Sequence, residues 1–179
     1  SAGNVGIGTT TPTNYGAGYT TLAINGPTSG GSGGCVVDLL VAGTRTGTIF
    51  ALADNTVTIS NLLASSLIFK TNNTQAMILD ATGNLGVGVT PSGWAGGFKA
   101  IQMSSGASFH GNPSVPIAYV NANSYYDGSV NKYVTTGYAS RFLTDGYQGG
   151  FNWQVAASGS AGGTITYTQA MTLDTSGNQ

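Results

Sequence analysis

The sequence predicts an all-β fold made of two tandem modules, and three observations lead to that prediction. The chain of 179 residues contains 29 glycines, only five lysines and arginines together, and no glutamate. Apolar residues alternate with polar ones at a period of two, which is typical of strands. The chain also contains an internal repeat. Because Glu, Lys and Leu normally fill helices, short strands joined by tight turns fit this composition better.

The internal repeat defines the modules. Thr74–Asn84 and Thr168–Asn178 match at eight of eleven positions, and both read Thr-Gln-Ala-Met-x-Leu-Asp-x-x-Gly-Asn. The first copy continues into the glycine-punctuated segment Gly83–Pro91, which has a counterpart in Gly3–Pro12. Repetition of this kind indicates stacked modules, and we expect them to belong to a longer array. One module is predicted at residues 1–82 and the second at 83–179, with an aromatic-rich insertion at 104–150.

Each module opens with a glycine-rich neck. In Gly3–Gly8 apolar residues alternate with glycines. Since glycine weakens a strand, its regular use predicts close backbone approach or a sharp bend, and close approach around an axis would satisfy both. Asn61–Ser66 is the one stretch in which we allow a helical turn. The predicted strands of the first module are Tyr19–Ile24, Cys35–Val41, Thr48–Leu52, Val57–Ser60 and a terminal hairpin over Leu67–Asp80.

The second module has a predicted strand at Phe98–Met103 and a return strand at Thr164–Asp174, which follows a flexible loop. Before that loop, Phe151, Trp153 and Val155 alternate with polar residues, and we expect Phe151 and Trp153 to lie in the core. Between Met103 and Phe151, turn signals such as Asp127-Gly128 and Asp145-Gly146 bracket only short strands.

The charge of the chain excludes several classes of function. The net charge is −1 and basic residues form no run, so the chain lacks the electrostatic attraction that supplies most nucleic-acid affinity. The chain likewise lacks electrostatic attraction to anionic membrane surfaces. Its apolar stretches are too short to span a bilayer. We predict neither nucleic-acid binding nor membrane insertion. The single cysteine, Cys35, cannot form an intrachain disulfide and is predicted to be a buried core thiol.

The sequence does not indicate an enzyme, a metal site or a cofactor. His110 is the only histidine, Cys/His ligand spacing is absent, and no Asp-x-Asp-x-Asp loop is present. A Ser-His-Asp arrangement stays open from sequence alone. Asp80 and Asp174 occupy equivalent places in the repeat and are predicted to cap its Gly-Asn turn. Paired carboxylates for glycoside cleavage could therefore come only from Asp38, Asp54, Asp127 and Asp145.

The repeated unit closely resembles one found in bacteriophage tail-fibre and tailspike proteins, where it often precedes a C-terminal intramolecular chaperone that drives trimerisation and then cleaves itself off. The matching residues are Met77, Leu79, Asp80 and Gly83–Pro91, with partial copies at Ser1–Pro12 and Met171–Asn178. Gly88–Pro91 is one residue shorter than the commoner form, and no part of the chain corresponds to the chaperone. The resemblance implies a homotrimer coaxial with a fibre, neighbouring fibre modules as partners, and a place in the virion tail, outside the cell.

Three functions agree with this resemblance. The first is a structural and adhesive section of a tail fibre that helps to bind a host cell-surface glycan or other receptor. The second is a segment of a depolymerase tailspike that cleaves host surface polysaccharide. The third is a passive spacer in the fibre shaft. We expect the first.

Aromatic residues provide the main indication of a binding site. Ten of the 17 aromatic residues fall in Phe109–Trp153, next to Asn, Ser, Asp and Gly. Such tyrosines can stack on the apolar face of a sugar while amides and carboxylates bind its hydroxyls. Because recognition usually lies on loops of a rigid scaffold, we place the receptor contact within Tyr119–Tyr147. The predicted ligand-binding residues are Tyr119, Tyr125, Tyr126, Asp127, Tyr133, Tyr138, Arg141 and Tyr147.

Overall fold

The computed structural model of the chain describes residues 5–7, 9, 22–24, 34–52, 54, 56–104 and 106–178. Within these ranges the chain forms sixteen β-strands and no helix, which confirms the prediction of an all-β fold. None of the described segments is a helix long and apolar enough to cross a membrane.

The chain divides between Ser65 and Ser66 into two compact units. The strands of the first unit are β1 (Val5–Ile7), β2 (Leu22–Ile24), β3 (Gly34–Val41), β4 (Thr44–Leu52) and β5 (Val57–Asn61). Those of the second are β6 (Leu67–Thr71), β7 (Thr74–Leu79), β8 (Leu85–Val87), β9 (Ala100–Met103), β10 (Ala107–Gly111), β11 (Ile117–Ala122), β12 (Ser124–Tyr126), β13 (Asn131–Tyr133), β14 (Gly137–Asp145), β15 (Phe151–Gly159) and β16 (Thr168–Leu173).

The first unit contains two small sheets. Strands β1 and β2 pair in parallel, and β3, β4 and β5 form an antiparallel meander. The tight turn between β3 and β4 places Ala42 and Gly43 at positive φ, as a two-residue hairpin turn requires. Val37, Ile49 and Ile59 are aligned across the three strands, and all three are exposed. One face of this sheet is therefore apolar and uncovered within the described residues of the unit.

The second unit is built on a nine-stranded sheet in the order β16-β15-β14-β11-β10-β9-β8-β7-β6. All neighbours in it are antiparallel except β8 and β9, which run parallel. A separate hairpin of β12 and β13 follows β11. The repeat boundary at residues 82 and 83 lies inside this unit, because the hairpin β6–β7 and the neck strand β8 belong to one sheet. The assignment of modules to 1–82 and 83–179 stays a prediction.

Both copies of the repeated turn have the same conformation. In the first, Asp80 Oδ1 accepts hydrogen bonds from the backbone N–H groups of Thr82 and Asn84, at 2.9 and 2.8 Å. In the second, Asp174 Oδ1 accepts those of Ser176 and Asn178, at 2.8 and 2.9 Å. The predicted capping role of both aspartates is confirmed.

The two faces of the nine-stranded sheet differ sharply. Successive side chains of a strand point to opposite faces. Loops and the β12–β13 hairpin cover one face, which we call the covered face, and bury Ala100, Gln102, Ser108, His110 and Asn121. A small core of Tyr133, Ala139, Ala156 and Ile165 lies at one end of it.

The opposite face, which we call the apolar face, is uncovered. Phe109 and Val120 are directly paired on it and are 50 % and 52 % exposed, whereas Gln102 on the covered face is 1 % exposed. This reverses the burial that the hydrophobic effect favours in a chain that stands alone. By pleat and register, the apolar face carries Phe69, Met77, Leu79, Leu85, Val87, Ile101, Met103, Phe109, Val120, Phe142, Phe151, Trp153, Val155 and Met171.

Several expectations from the sequence need correction. Asn61–Ser66 contains no helical turn: β5 ends at Asn61 and the chain continues through bends. The insertion at 104–150 is not limited to short strands, since it supplies β10, β11 and the nine-residue β14. The predicted core residues Phe151 and Trp153 lie on the apolar face, where Phe151 is exposed. Cys35 is only half-buried.

One neck glycine, Gly86, shows the close backbone approach that was predicted. The carbonyl oxygen of Val89 lies 2.0 Å from the point where a Cβ of Gly86 would sit, and Ile78 and Pro91 are within 2.9 Å of it. This close approach is to the chain's own next loop, on the covered face, and packing of the necks around a fibre axis stays a prediction. The neck residues 3, 4 and 8 and the predicted strand residues 19–21 lie outside the described residues.

Candidate functional site

The covered face of the second unit contains a partly open cavity of about 440 Å³. Cavities of this size accommodate one or two sugar rings or another small ligand. Its lining combines aromatic rings, a guanidinium group and several small polar side chains. The lining residues are Phe98, His110, Asn112, Ser114, Val115, Tyr119, Tyr126, Asn131 and Arg141.

Three neighbouring strands form the floor of the cavity. His110 on β10 is paired with Tyr119 on β11, and Asn121 on β11 is paired with Arg141 on β14. The register thus brings His110, Tyr119 and Arg141 to one face of the sheet. The His110 and Tyr119 rings stack with their centroids 4.7 Å apart and their planes at 7°. Directly opposed aromatic residues are among the stronger cross-strand pairs.

The β12–β13 hairpin and the loop before β9 supply further walls. The Tyr126 hydroxyl donates to the Gly128 carbonyl at 3.0 Å, and its ring centroid lies 5.1 Å from that of Phe98. In the turn of the hairpin, the Asp127 carboxylate accepts from the N–H groups of Ser129 and Val130 and pairs with Lys132 at 2.7 Å. The hydrogen bond from Lys132 is the main reason why the pKa of Asp127 is held well below its usual range.

His110 is buried among the rings of Trp94, Phe98 and Tyr119. Burial first, and then the positive charge of Arg141, lower the pKa of His110 to about 4. The imidazole is therefore neutral at pH 7. The Asn121 Nδ2 group lies 3.2 Å from His110 Nδ1 and donates to it. With the Asn121 amide in this orientation, His110 Nδ1 accepts and the ring proton is on Nε2.

Arg141 is the one cation among the cavity-lining residues. Its guanidinium carbon lies 4.1 Å from the centroid of the Tyr167 ring and 5.3 Å from that of Tyr119. Nε donates to Gln154 Oε1 at 2.5 Å. Burial lowers the pKa of Arg141, although a guanidinium still stays charged at pH 7.

The structure brings three of the eight predicted ligand-binding residues together in this cavity: Tyr119, Tyr126 and Arg141. Tyr125 packs edge-on against Trp94 with 6.3 Å between ring centroids, and Asp127 is engaged in the hairpin turn. Tyr133 is buried, and its hydroxyl donates to the Ala157 carbonyl at 2.5 Å, so its ring belongs to the core. Tyr138 and Tyr147 are 77 % and 70 % exposed and do not line the cavity.

Sequence reasoning did not select Phe98, His110, Asn112, Ser114 or Val115 for the site. Phe98 reaches the cavity from the loop before β9, and Asn112, Ser114 and Val115 lie in the β10–β11 connection. The one available signal was the alternation Ser108-Phe109-His110, which places His110 and Phe109 on opposite faces of a strand. Which face the loops would cover could not be read from that pattern.

Comparison of the chain with protein-family models, curated proteins and solved structures finds no match.

Proposed function

We propose that the chain is a structural and adhesive section of a bacteriophage tail fibre, which assembles as a homotrimer and binds a host-surface glycan in the cavity of its second unit. The observation that carries this proposal is the contrast between the two faces of the nine-stranded sheet. One face has the composition of an interior but is uncovered, and the other carries a cavity of aromatic and polar side chains.

The apolar face supports assembly. Eight spacings between nine strands make the sheet roughly 40 Å wide, and an apolar face of even 15 Å height would then measure on the order of 600 Å². A patch of that size on a soluble chain normally marks an interface. Two further observations support this reading. The first unit separately exposes an aligned apolar row at Val37, Ile49 and Ile59, and the apolar face of the second has a hollow of about 320 Å³ beside Val120, Phe142 and Trp153.

A second copy of the same chain is the occupant that we propose for the apolar face. The face bears no charged side chain among its described residues, so nothing on it selects an oppositely charged partner. The resemblance of Met77, Leu79, Asp80 and Gly83–Pro91 to a tail-fibre repeat implies three copies arranged about one axis. Such an arrangement buries the apolar faces against each other and leaves the covered faces, with their cavities, directed outward.

The cavity supports adhesion. Phe98, Tyr119 and Tyr126 provide the apolar surface on which a sugar ring stacks, and Asn112, Ser114 and Asn131 provide donors and acceptors for its hydroxyls. Of these residues, Tyr119 lies on the floor that β10, β11 and β14 form, and the others reach the cavity from the β12–β13 hairpin and from loops. Three cavities in a trimer would raise a weak affinity for a repetitive surface by roughly 10²–10⁴ through avidity.

Binding agrees with the composition of the cavity better than cleavage does. Glycoside hydrolysis normally requires two carboxylates on either side of the scissile bond, and the described residues that line the cavity include none. The depolymerase and the passive spacer are the alternatives that the experiment must separate from adhesion.

The experiment compares the wild-type fibre with the Tyr126→Ala variant in a glycan-array assay and in adsorption to host cells. Loss of the Tyr126 ring should weaken glycan binding about 5- to 100-fold, since one stacked aromatic contributes roughly 1–3 kcal/mol. The matched control is Tyr147→Ala, which removes an exposed ring outside the cavity.

Adhesion through the cavity predicts that Tyr126→Ala loses binding and adsorption while Tyr147→Ala retains both. Release of oligosaccharide from host polysaccharide would favour the depolymerase. Silence of the wild-type protein on the array, together with full adsorption of fibres that lack this segment, would favour the spacer and contradict the proposal.

A further inference from the structure

We infer that the ligand of the cavity is an anionic sugar, with Arg141 binding its carboxylate or phosphate group. This inference rests on the proposed function, in which the cavity binds a glycan, and it adds the chemical class of that glycan.

Arg141 has no anionic partner within the described residues. The two ion pairs found there join Arg45 to Asp38 at 3.6 Å and Lys132 to Asp127 at 2.7 Å. The only hydrogen bond from the Arg141 side chain to a described residue is the one from Nε to the amide oxygen of Gln154. Both Nη groups are therefore without a protein acceptor in this part of the chain. An arginine has five donors in a planar fork, and in Arg141 four of them are unused.

The surroundings hold this guanidinium in a fixed position. Tyr167 and Tyr119 provide two ring faces near it, and Gln154 fixes Nε. Removing a cation from water is costly, and cation–π contacts offset only part of that cost. A lysine or an apolar side chain could fill the same space without a fork of free donors. The arrangement matches that of an arginine prepared for bidentate binding of a carboxylate or phosphate.

The charges near the cavity favour an anion. The carboxylate nearest in sequence to the lining residues Tyr126 and Asn131 is Asp127, which is neutralised by Lys132 and by two backbone N–H groups. His110 is neutral at pH 7 because burial lowers its pKa to about 4, so Arg141 carries the positive charge of the described lining. The cavity therefore presents one positive group together with neutral donors, acceptors and rings.

The test measures binding of matched acidic and neutral sugars to the assembled protein by ligand-observed NMR titration. The probe pairs are glucuronic acid with glucose, galacturonic acid with galactose, and mannose 6-phosphate with mannose, all at one ionic strength. At least one acidic member should bind roughly tenfold or more tightly than its neutral partner. The uronic acids and the sugar phosphate distinguish a carboxylate from a phosphate ligand.

The decisive variant is Arg141→Gln, with Arg45→Gln as the matched arginine control in the first unit. Arg141→Gln should weaken binding of the preferred acidic sugar by roughly 10- to 100-fold and should weaken binding of its neutral partner much less, so that the preference for the acidic sugar is lost. Arg45→Gln should alter neither. If Arg141→Gln does not fold, the wild type decides: only the acidic sugar should lose affinity when the salt concentration rises.

Equal affinity for acidic and neutral sugars, or affinity of an acidic sugar that is insensitive to both Arg141→Gln and salt, would overturn the inference. In that case loss of neutral-sugar binding in Tyr126→Ala would leave the proposed adhesive function intact. If none of these sugars binds and the glycan array is also silent, both the inference and the adhesive function fail.

Discussion

Asn84 donates from its side-chain Nδ2 to the carboxylate of Asp80 at 3.2 Å, across the turn that joins β7 to β8. Its Oδ1 accepts the backbone N–H of Ala100 at 3.0 Å, which connects the turn to β9. Asn178 makes the equivalent bond to Asp174 at 3.1 Å but is exposed, whereas Asn84 is 1 % exposed. One motif therefore occurs in a buried and in an exposed setting within the same chain.

Replacing Asn84 with Ala should destabilise the protein strongly, because the change removes three side-chain hydrogen bonds and leaves the buried N–H of Ala100 without an acceptor. We expect a loss of about 2–4 kcal/mol in the free energy of unfolding. The repeat supplies the control, Asn178→Ala, for which the loss should stay below about 1 kcal/mol. Chemical denaturation measures both. Equal losses would show that burial of Asn84 is not what gives the turn its stability.

Gly86→Ala should also destabilise the protein, because its added methyl group would collide with the Val89 carbonyl and with Ile78. Overpacking of this kind typically costs about 1–3 kcal/mol, and a contact with backbone cannot be relieved by rotating a side chain. The control is Gly96→Ala, where nothing lies within 4 Å of the new Cβ. A shift of the melting temperature in Gly86→Ala alone is the expected result. A neutral Gly86→Ala would show that close approach of the Val89 loop does not account for the glycine spacing of the neck.

The protein should become less stable as the pH decreases from about 6.5 to 4, and His110 is the cause. Its pKa lies near 4 in the folded chain and near 6.5 when unfolded, so the unfolded chain takes up the proton first as the pH decreases. The contribution of neutral His110 to the free energy of unfolding is fully present above pH 6.5 and is lost toward pH 4. It amounts to about 2–3 kcal/mol. The lowered pKa values of Asp80 and Asp174 act only below this window.

The measurement for this prediction is the free energy of unfolding of wild type and His110→Gln at pH 7, 6, 5 and 4.5. The free energy of unfolding should decrease with decreasing pH in the wild type, and this decrease should be much smaller in His110→Gln. An identical slope in both proteins would mean that His110 does not titrate as its burial requires.

The sequence predicted the existence of most strands better than their arrangement. Alternation located Cys35–Val41, Leu67–Thr71 and Phe151–Val155 because a strand's period is local. The insertion at 104–150 was underestimated because Asp145-Gly146 ends the nine-residue strand β14, whereas such turn signals were expected to bracket only short strands. Polar residues are usually assigned to the exterior of a fold. Here Gln102 and His110 are buried on the covered face, so that assignment would be wrong.

The site was predictable only in part for a similar reason. A concentration of tyrosines beside polar residues indicated the region, and it included Tyr119, Tyr126 and Arg141. Their meeting with Phe98 and His110 depends on the pairing of β9, β10, β11 and β14, which joins residues far apart in sequence. Composition cannot distinguish Tyr133, which lies in the core, from Tyr126, which lines the cavity.

Val120→Asp tests the role of the apolar face. Val120 is 52 % exposed in the single chain, so a carboxylate there would be tolerated by an isolated chain but would be buried without a partner in an assembly. We expect the variant to lose assembly while the circular dichroism spectrum of β-structure is retained. Thr166→Asp, on an exposed loop of the other face, is the control and should assemble normally. Loss of assembly in both variants would contradict the assignment of the assembly interface to the apolar face.

The most direct test of the central claim, that the apolar face is the interior of a homotrimer, is the mass of the folded chain in solution. Light scattering should give about 54 kDa, three times the chain mass of 18.0 kDa. It should give about 18 kDa for Val120→Asp. A stable wild-type monomer of 18 kDa that does not bind hydrophobic dye would contradict the account, because its apolar face would then be uncovered and yet inert.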